Sequence, residues 1–184
     1  EKGKGFSEDD KKVIFAEHLR LVKEIVPVHA RLQKAGQIEI TMTPYSHPIL
    51  PLILDSNLAS VAMKEGTLPN RFFYPVDALA QVQKGIKLYE DHFGVKPRGM
   101  WPAEGSVAQE IVGLVGRSGI QWMASDEGVL AHSLGFDAFN RDGQEVVTKA
   151  DALYRPYVTQ ITGSVSPPVA MVFRDTVLSD KVGF

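Results

Sequence analysis

The feature that most limits the fold of this chain is a repeated order of elements: a short apolar strand, a polar loop and then a helix. Four segments have the apolar character of short strands, at residues 37–42, 98–101, 120–124 and 169–173. Helical periodicity covers residues 7–36, 75–94 and 107–116. This order predicts an α/β fold with a parallel sheet and right-handed crossovers. Because a closed barrel needs more than four strands, we expect either a small open sheet or one part of a larger barrel.

Local signals refine this outline. Ser7 and Asp10 have the spacing of a capping box and should open the first helix. Pro27 lies inside the same helical pattern, where we expect it to kink or divide the helix. Residues 131–168 lack clear periodicity and are rich in polar residues and Gly. We predict that they form an irregular insertion, with a short strand near Val146.

Composition excludes several classes of function. The chain has 184 residues, the length of one ordinary domain, and its 44% hydrophobic content can supply a core. A net charge of −2, with no long run of one sign, argues against nucleic acid or a membrane as a partner. The chain has no cysteine, which fits a reducing compartment, and we expect a cytoplasmic protein. Its longest apolar stretch, residues 49–54, is too short to span a bilayer.

Polar and aromatic side chains gather at the predicted strand ends, where the sites of parallel α/β folds lie. In chain order they are Glu39, Tyr45, His47, Trp101, Glu104, Asp126, Glu127, Arg174, Asp175 and Asp180. Aromatic rings can stack on sugar rings, and carboxylates accept hydrogen bonds from sugar hydroxyls. Two carboxylates that face each other across a groove are the minimum for cleaving a glycosidic bond. Glu104 and Asp175 are the candidates, because each follows a predicted strand.

These residues also have ordinary structural interpretations. Glu104 would suit the positive end of the next helix, and Asp175 could cap the helix that follows it. Arg174 could pair with a neighbouring acid, and His47 could brace its own loop. The spacings His-x-His, His-x-x-x-His and Glu-x-x-His do not occur, so a metal site is disfavoured. No Gly-x-Gly-x-x-Gly, P-loop or nucleophile elbow occurs either, and we expect no cofactor.

Three ordered motifs resemble one family of enzymes. Gly36-Gln-Ile-Glu-Ile-Thr-Met-Thr-Pro-Tyr-Ser-His-Pro-Ile49 resembles the second conserved region of glycoside hydrolase family 57. Gly99-Met-Trp-Pro-Ala-Glu-Gly-Ser106 is similar to its third region, and Phe173-Arg-Asp-Thr-Val-Leu-Ser-Asp-Lys-Val-Gly-Phe184 to its fourth. The segments at residues 70–75 and 122–128 also resemble the same branch.

The resemblance implies a retaining α-glycosidase or glucanotransferase that acts on starch-like or glycogen-like α-glucans, built on an incomplete (β/α)7 barrel. Glu104 would be the nucleophile and Asp175 the acid/base. Glu39, His47 and Trp101 would line the sugar subsites, and the strand-end residues Tyr45, Asp126 and Arg174 are further substrate-binding candidates. A retaining reaction predicts that the two catalytic carboxyl groups lie about 5–5.5 Å apart, with the pKa of the acid raised.

The His-Gln-Pro motif of the family's first region and its C-terminal fifth region are absent from this sequence. We therefore expect residues 1–184 to be an internal part of a single catalytic domain, with residues 131–168 as the insertion. Two alternatives remain open at this point. One is a polysaccharide deacetylase, which needs an Asp-His-His metal set. The other is a carbohydrate-binding domain without turnover.

Overall fold

The computed structural model describes residues 2–161, 163 and 165–183, in two compact units, Glu1–Ile40 and Thr41–Phe184. The final residue of the motif that resembles the fourth region, Phe184, lies outside the described residues, as do Thr162 and Ser164 of the predicted insertion. No helix in the described part of the chain has the length and apolar character that a membrane crossing requires.

The first unit is built around one long helix, α1 (Glu8–Lys34). The predicted capping box is confirmed: the Asp10 N–H donates to the Ser7 hydroxyl over 3.3 Å, and the Ser7 N–H donates to Asp10 Oδ2 over 2.6 Å. The helix continues through Pro27, so the predicted division there is wrong. A proline removes one backbone hydrogen bond, and this 27-residue helix keeps several turns on each side of it.

The predicted strand at residues 37–42 is wrong for most of its length. The Ile40 N–H donates to the side-chain oxygen of Gln33 over 3.0 Å, rather than to a neighbouring strand. Of residues 37–42, all of which are described, Met42 alone forms a β-bridge; its partner is Met100, and both residues belong to the second unit. Alternating apolar residues favour a strand, but a strand forms only where a neighbour offers backbone groups.

The second unit combines helices with a four-stranded sheet. Its helices are α2 (Leu50–Leu54), a 3₁₀ helix (Ser56–Val61), α3 (Pro75–Phe93), a 3₁₀ turn (Ala103–Gly105), α4 (Gln109–Arg117), α5 (Glu127–Ser133), α6 (Ala150–Leu153) and α7 (Thr176–Gly183). Its strands are β1 (Gly99–Met100), β2 (Trp122–Asp126), β3 (Tyr157–Thr159) and β4 (Val169–Arg174). The predicted helices at residues 75–94 and 107–116 and the strands at 98–101, 120–124 and 169–173 are thus confirmed, with ends shifted by up to two residues.

The sheet has the order β1-β2-β4-β3, and its described strands form an open sheet. Strands β1, β2 and β4 are parallel, as the sequence predicts, which confirms an α/β fold. Strand β3 pairs antiparallel with β4 and was not predicted, because three residues are too few to show an alternating pattern. The strand predicted near Val146 is wrong: Val147 forms a single bridge with Arg141.

Buried apolar side chains hold the second unit together, and two groups of them pack on or beside the sheet. One is a ladder across the parallel strands, in which Met123 of β2 is in register with Met100 of β1 and with Met171 of β4. The other consists of Leu130, Ala131, Phe139, Val147 and Leu153. This second cluster lies largely within residues 131–168, so the segment predicted to be irregular contributes helix α6, strand β3 and part of a core.

Candidate active site

The parallel strands end together, and this common edge collects most of the predicted site residues. Trp101 directly follows β1, and Asp126 is the last residue of β2. Asp126 is in register with Arg174, the last residue of β4, and Asp175 comes next in the chain. The carboxyl ends of parallel strands are the usual location of sites in α/β folds, so the predicted placement is confirmed for these four residues.

Glu104 lies in the 3₁₀ turn that follows β1, in a conformation that only a few per cent of non-glycine residues adopt. Its φ is 57° and its ψ is 20°, and its side chain is 70% exposed. Its Oε1 lies 2.7 Å from Nε2 of His47, which has a positive φ of 66° as well. Two strained residues that contact each other through their side chains are typical of a functional site, because the rest of the fold must offset the cost.

The turn that carries Glu104 is held at both ends by hydroxyl groups. The Thr43 hydroxyl donates to the Trp101 carbonyl over 2.5 Å. The hydroxyl of Ser125, which is fully buried on β2, donates to the Gly105 carbonyl over 2.7 Å. Gly105 has a φ of 63°, a conformation that suits glycine. The backbone of this turn is therefore held by the hydroxyl groups of Thr43 and of Ser125 on β2, while the side chain of Glu104 itself is exposed.

Trp101, Arg174 and Asp126 form a chain of contacts along the same edge. The Arg174 guanidinium lies over the Trp101 ring, with Cζ 5.9 Å from the ring centre. Arg174 Nε donates to Asp126 Oδ2 over 3.0 Å, and the Thr176 hydroxyl donates to the same oxygen over 3.0 Å. Asp126 Oδ1 caps α5 by accepting the Gly128 N–H over 2.9 Å. Burial raises the pKa of Asp126, but these hydrogen bonds together outweigh it and leave the pKa lowered.

Asp175, the second catalytic candidate, is buried, with 8% of its surface exposed. Its Oδ2 accepts a hydrogen bond from the Tyr154 hydroxyl over 2.6 Å. Its Oδ1 accepts hydrogen bonds from Arg141 Nη2 over 2.8 Å and from the Leu178 N–H over 3.0 Å. The Leu178 contact also makes Asp175 the cap of α7, as its ordinary structural interpretation predicted. Catalytic and capping roles are compatible in one carboxylate.

The pKa of Asp175 is lowered in this arrangement. Burial alone raises it, but the hydrogen bonds from Tyr154, Leu178 and Arg141, together with the positive charge of Arg141, outweigh that effect. The sequence-based expectation for an acid/base was a raised pKa. The Tyr154 hydrogen bond lowers the pKa most, followed by those from Leu178 and Arg141, and no sequence motif placed Tyr154 or Arg141 beside Asp175.

Arg141 and Tyr154 are site residues that the sequence analysis missed, and Glu127 was noted only as a strand-end acid. Glu127 Oε2 accepts a hydrogen bond from Arg141 Nη2 over 2.6 Å, so one guanidinium nitrogen contacts two carboxylates. Arg141 precedes Asp175 by 34 residues and Tyr154 precedes it by 21. Both lie in the segment without periodicity, where no spacing indicates which side chains turn towards the sheet.

Tyr45 lies away from the chain of contacts at the strand ends. It lines a groove of about 500 Å³ together with His47 and apolar residues of α3. Its ring centre is 5.8 Å from Lys84 Nζ. Glu39 belongs to the first unit, and its place in a sugar subsite stays a prediction.

Several solved structures that are much longer than this chain have a similar fold. A 4-alpha-glucanotransferase from Thermococcus litoralis is 21% identical, with a TM-score of 0.58, over 90% of this chain and 21% of its own. The alpha-amylase AmyC from Thermotoga maritima is 22% identical, with a TM-score of 0.59, over 95% of this chain and 27% of its own. A GH57-type branching enzyme from Pyrococcus horikoshii is 19% identical, with a TM-score of 0.55, over 90% of this chain and 27% of its own.

The chain thus spans between a fifth and about a quarter of the length of these structures. Identities this low show a shared fold. A search of curated protein sequences found no match. The model of one protein family, Glycosyl hydrolase family 57, matches residues 12–184, which is nearly the whole sequence. The resemblance of the three motifs is confirmed, and the chain belongs to glycosyl hydrolase family 57.

Proposed function

We propose that this chain carries the two catalytic carboxylates of a retaining glycoside hydrolase or glucanotransferase that acts on α-glucans. Membership of glycosyl hydrolase family 57 supports a glycosidase or transferase. The similar structures are a 4-alpha-glucanotransferase, an alpha-amylase and a branching enzyme, which supports α-glucans as the substrate class. In this proposal residues 1–184 are part of one catalytic domain whose complete form is a (β/α)7-type barrel.

The observation that carries the proposal is the geometry of Glu104. Its carboxylate is exposed at the end of a parallel strand, on a strained turn, and it contacts His47. A nucleophilic carboxylate must be accessible to the anomeric carbon of the substrate, so it cannot be held in a buried ion pair. Glu104 meets this requirement, because its side chain is exposed while its turn is anchored by neighbouring residues. An acid that served only to interact with the positive end of the next helix would not need a strained backbone.

The proposed reaction proceeds by double displacement. In the first half, Glu104 attacks the anomeric carbon, the bond from that carbon to the glycosidic oxygen breaks, and Asp175 gives its proton to the leaving oxygen. In the second half, ionised Asp175 takes a proton from water or from a sugar hydroxyl, whose oxygen displaces Glu104. Water gives hydrolysis and a sugar hydroxyl gives transfer. The lowered pKa of Asp175 favours the ionised form that the second half uses, and it makes the protonated form that the first half needs the minor form at neutral pH.

The remaining candidates would bind the sugar. Trp101 offers a ring face for stacking, and Asp126 and Arg174 offer an acceptor and a donor at the same strand ends. His47 would hold the Glu104 carboxylate in position and contact a sugar hydroxyl beside it. Tyr45 would contact the sugar at the groove that it lines together with His47.

Replacing Glu104 by Gln tests the proposal. We expect turnover of soluble starch or maltoheptaose to fall by about 10³-fold or more, because the nucleophile is lost, while binding of the glucan persists. Glu110→Gln is the matched control, since Glu110 is an exposed acid six residues further on in the first turn of α4. We expect this control to keep full activity.

Unchanged turnover in Glu104→Gln would remove Glu104 as the nucleophile. Glucan binding without turnover in the unsubstituted protein would instead identify a carbohydrate-binding domain. For the retaining mechanism, the first product observed by proton NMR must have the α configuration. An initial β product would contradict retention.

A further inference from the structure

Asp175 is enclosed by side chains that come from the segment between β2 and β4. Arg141 reaches its Oδ1 over 2.8 Å and Tyr154 reaches its Oδ2 over 2.6 Å. The Asp175 side chain is 5% exposed and that of Arg141 is 15% exposed. Tyr154 differs, because about half of its surface is exposed while its hydroxyl contacts the buried carboxylate. The phenol thus connects Asp175 to the surface of the protein.

A second acid shares the Arg141 guanidinium with Asp175. Glu127, at the start of α5, is buried and accepts a hydrogen bond from the same guanidinium nitrogen that contacts Asp175, over 2.6 Å. A guanidinium stays protonated across the accessible pH range. Two buried carboxylates therefore share one permanent positive charge, and charge-assisted hydrogen bonds of this length are strong and directional.

We infer that Arg141 and Tyr154 are positioning residues that orient the Asp175 carboxylate for proton transfer, and that Glu127 shares the Arg141 guanidinium with Asp175 and so limits how strongly Arg141 stabilises the ionised Asp175. The inference rests on the proposed function, since it takes Asp175 as the acid/base. It also gives a role to residues 131–168: this segment supplies two of the groups that contact the acid/base.

Each partner should change the proton affinity of Asp175 in a known direction. Arg141 and Tyr154 both stabilise the ionised carboxylate, so losing either should raise the Asp175 pKa. Glu127 is an anion that competes for Arg141, so replacing it by Gln should lower the Asp175 pKa. Opposite shifts from neighbouring positions would not follow from a general loss of packing.

The inference can be tested on the whole chain without measuring catalysis. The side-chain carboxyl carbons are labelled with ¹³C, and the Asp175 signal, identified by its loss in Asp175→Asn, is followed by NMR from pH 2 to 8. We expect the titration midpoint to move upwards by about one pH unit in Arg141→Met and in Tyr154→Phe, and downwards in Glu127→Gln. The matched control is Arg155→Met, because Arg155 lies on the Tyr157 ring instead of on Asp175. Its midpoint should equal that of the unsubstituted protein.

Arg141→Met leaves Glu127 without its cation and could fail to fold for that reason. In that case Tyr154→Phe provides the test, because it removes only one hydroxyl from an exposed ring and should therefore still fold. Arg141→Lys keeps the charge and should restore most of the original midpoint. Midpoints that coincide in Tyr154→Phe and the unsubstituted protein would overturn the role of Tyr154. An upward shift in Glu127→Gln would overturn the role of Glu127.

The pH dependence of kcat/KM on maltoheptaose then separates this inference from the proposed function. If Asp175 is the acid, the alkaline limb should move in the same direction as its midpoint. Loss of activity in Glu104→Gln together with an unmoved alkaline limb in Tyr154→Phe and in Arg141→Met would overturn the positioning roles alone. An absence of α-glucan turnover in the unsubstituted protein would overturn the proposed function, while the NMR result on the cluster would still stand.

Discussion

Ser125 is a fully buried residue of β2, and its hydroxyl holds the turn that carries Glu104. We expect Ser125→Ala to destabilise the protein and to weaken catalysis together. The substitution removes the 2.7 Å hydrogen bond to the Gly105 carbonyl and leaves that buried oxygen without its hydroxyl donor. Losing one partner of a buried hydrogen bond costs about 1–3 kcal/mol.

The same loss can be expressed as a change in melting temperature. For a protein of this size, each kcal/mol lowers Tm by about 2–4 °C, so Ser125→Ala should melt about 2–12 °C lower. Because the turn loses an anchor next to the proposed nucleophile, kcat should fall by up to about 10²-fold. The assays are urea unfolding followed by circular dichroism, thermal unfolding, and turnover of maltoheptaose.

Ser133→Ala provides a matched control. The Ser133 hydroxyl also donates to a backbone carbonyl, that of Val129, over 2.7 Å, but it lies on an exposed part of α5. Water can replace this hydrogen bond, so the control should change the free energy of unfolding by less than about 0.5 kcal/mol. Equal stability of Ser125→Ala and Ser133→Ala would refute the reasoning, because burial is the difference on which it depends.

Two further predictions concern packing and pH. In Gly116→Ala, an ideally placed Cβ would lie 2.6 Å from the Pro167 carbonyl, so we expect a loss of about 1–3 kcal/mol in urea unfolding. The control Gly143→Ala, where a Cβ meets nothing within 4 Å, should be close to neutral, and equal losses would contradict the close contact. The pKa of Asp175 is lowered on folding, so its contribution to stability is present above about pH 3.9 and is lost as the pH falls through the folded value. Urea unfolding at several pH values should therefore show a steeper acid loss in the unsubstituted protein than in Asp175→Asn, and parallel curves would contradict the lowered pKa.

Much of the fold could be predicted because its signals are local. The capping box at Ser7 and the glycine at Gly94, which has a φ of 71° after α3, mark helix ends through their own side chains and backbone. The buried parallel strands were visible as short apolar runs. Local signals missed strand β3 and wrongly predicted a strand at residues 37–42. A segment forms a strand only if the backbone of another segment lies beside it and pairs with it, and local sequence does not show this.

The site residues also differ in whether local sequence signals could predict them. Asp175 follows an apolar run directly and Glu104 lies in the turn after another such run, so strand ends were enough to select them. Arg141 reaches Asp175 from 34 residues earlier in the chain, across a polar segment. Its contact depends on how that segment folds over the sheet, which periodicity does not encode. The expectation of a raised pKa at Asp175 was wrong because Tyr154 and Arg141, which both lie in this segment, donate hydrogen bonds to its carboxylate.

The measurement that tests the central claim most directly is the site of a trapped glycosyl intermediate. The protein is incubated with a 5-fluoro α-glycosyl fluoride, digested and analysed by tandem mass spectrometry. The proposed mechanism predicts one glycosyl adduct, attached to Glu104, which is absent in Glu104→Gln and present in the control Glu110→Gln. An adduct on another residue, or continued α-glucan turnover in Glu104→Gln, would contradict the assignment of Glu104 as the nucleophile.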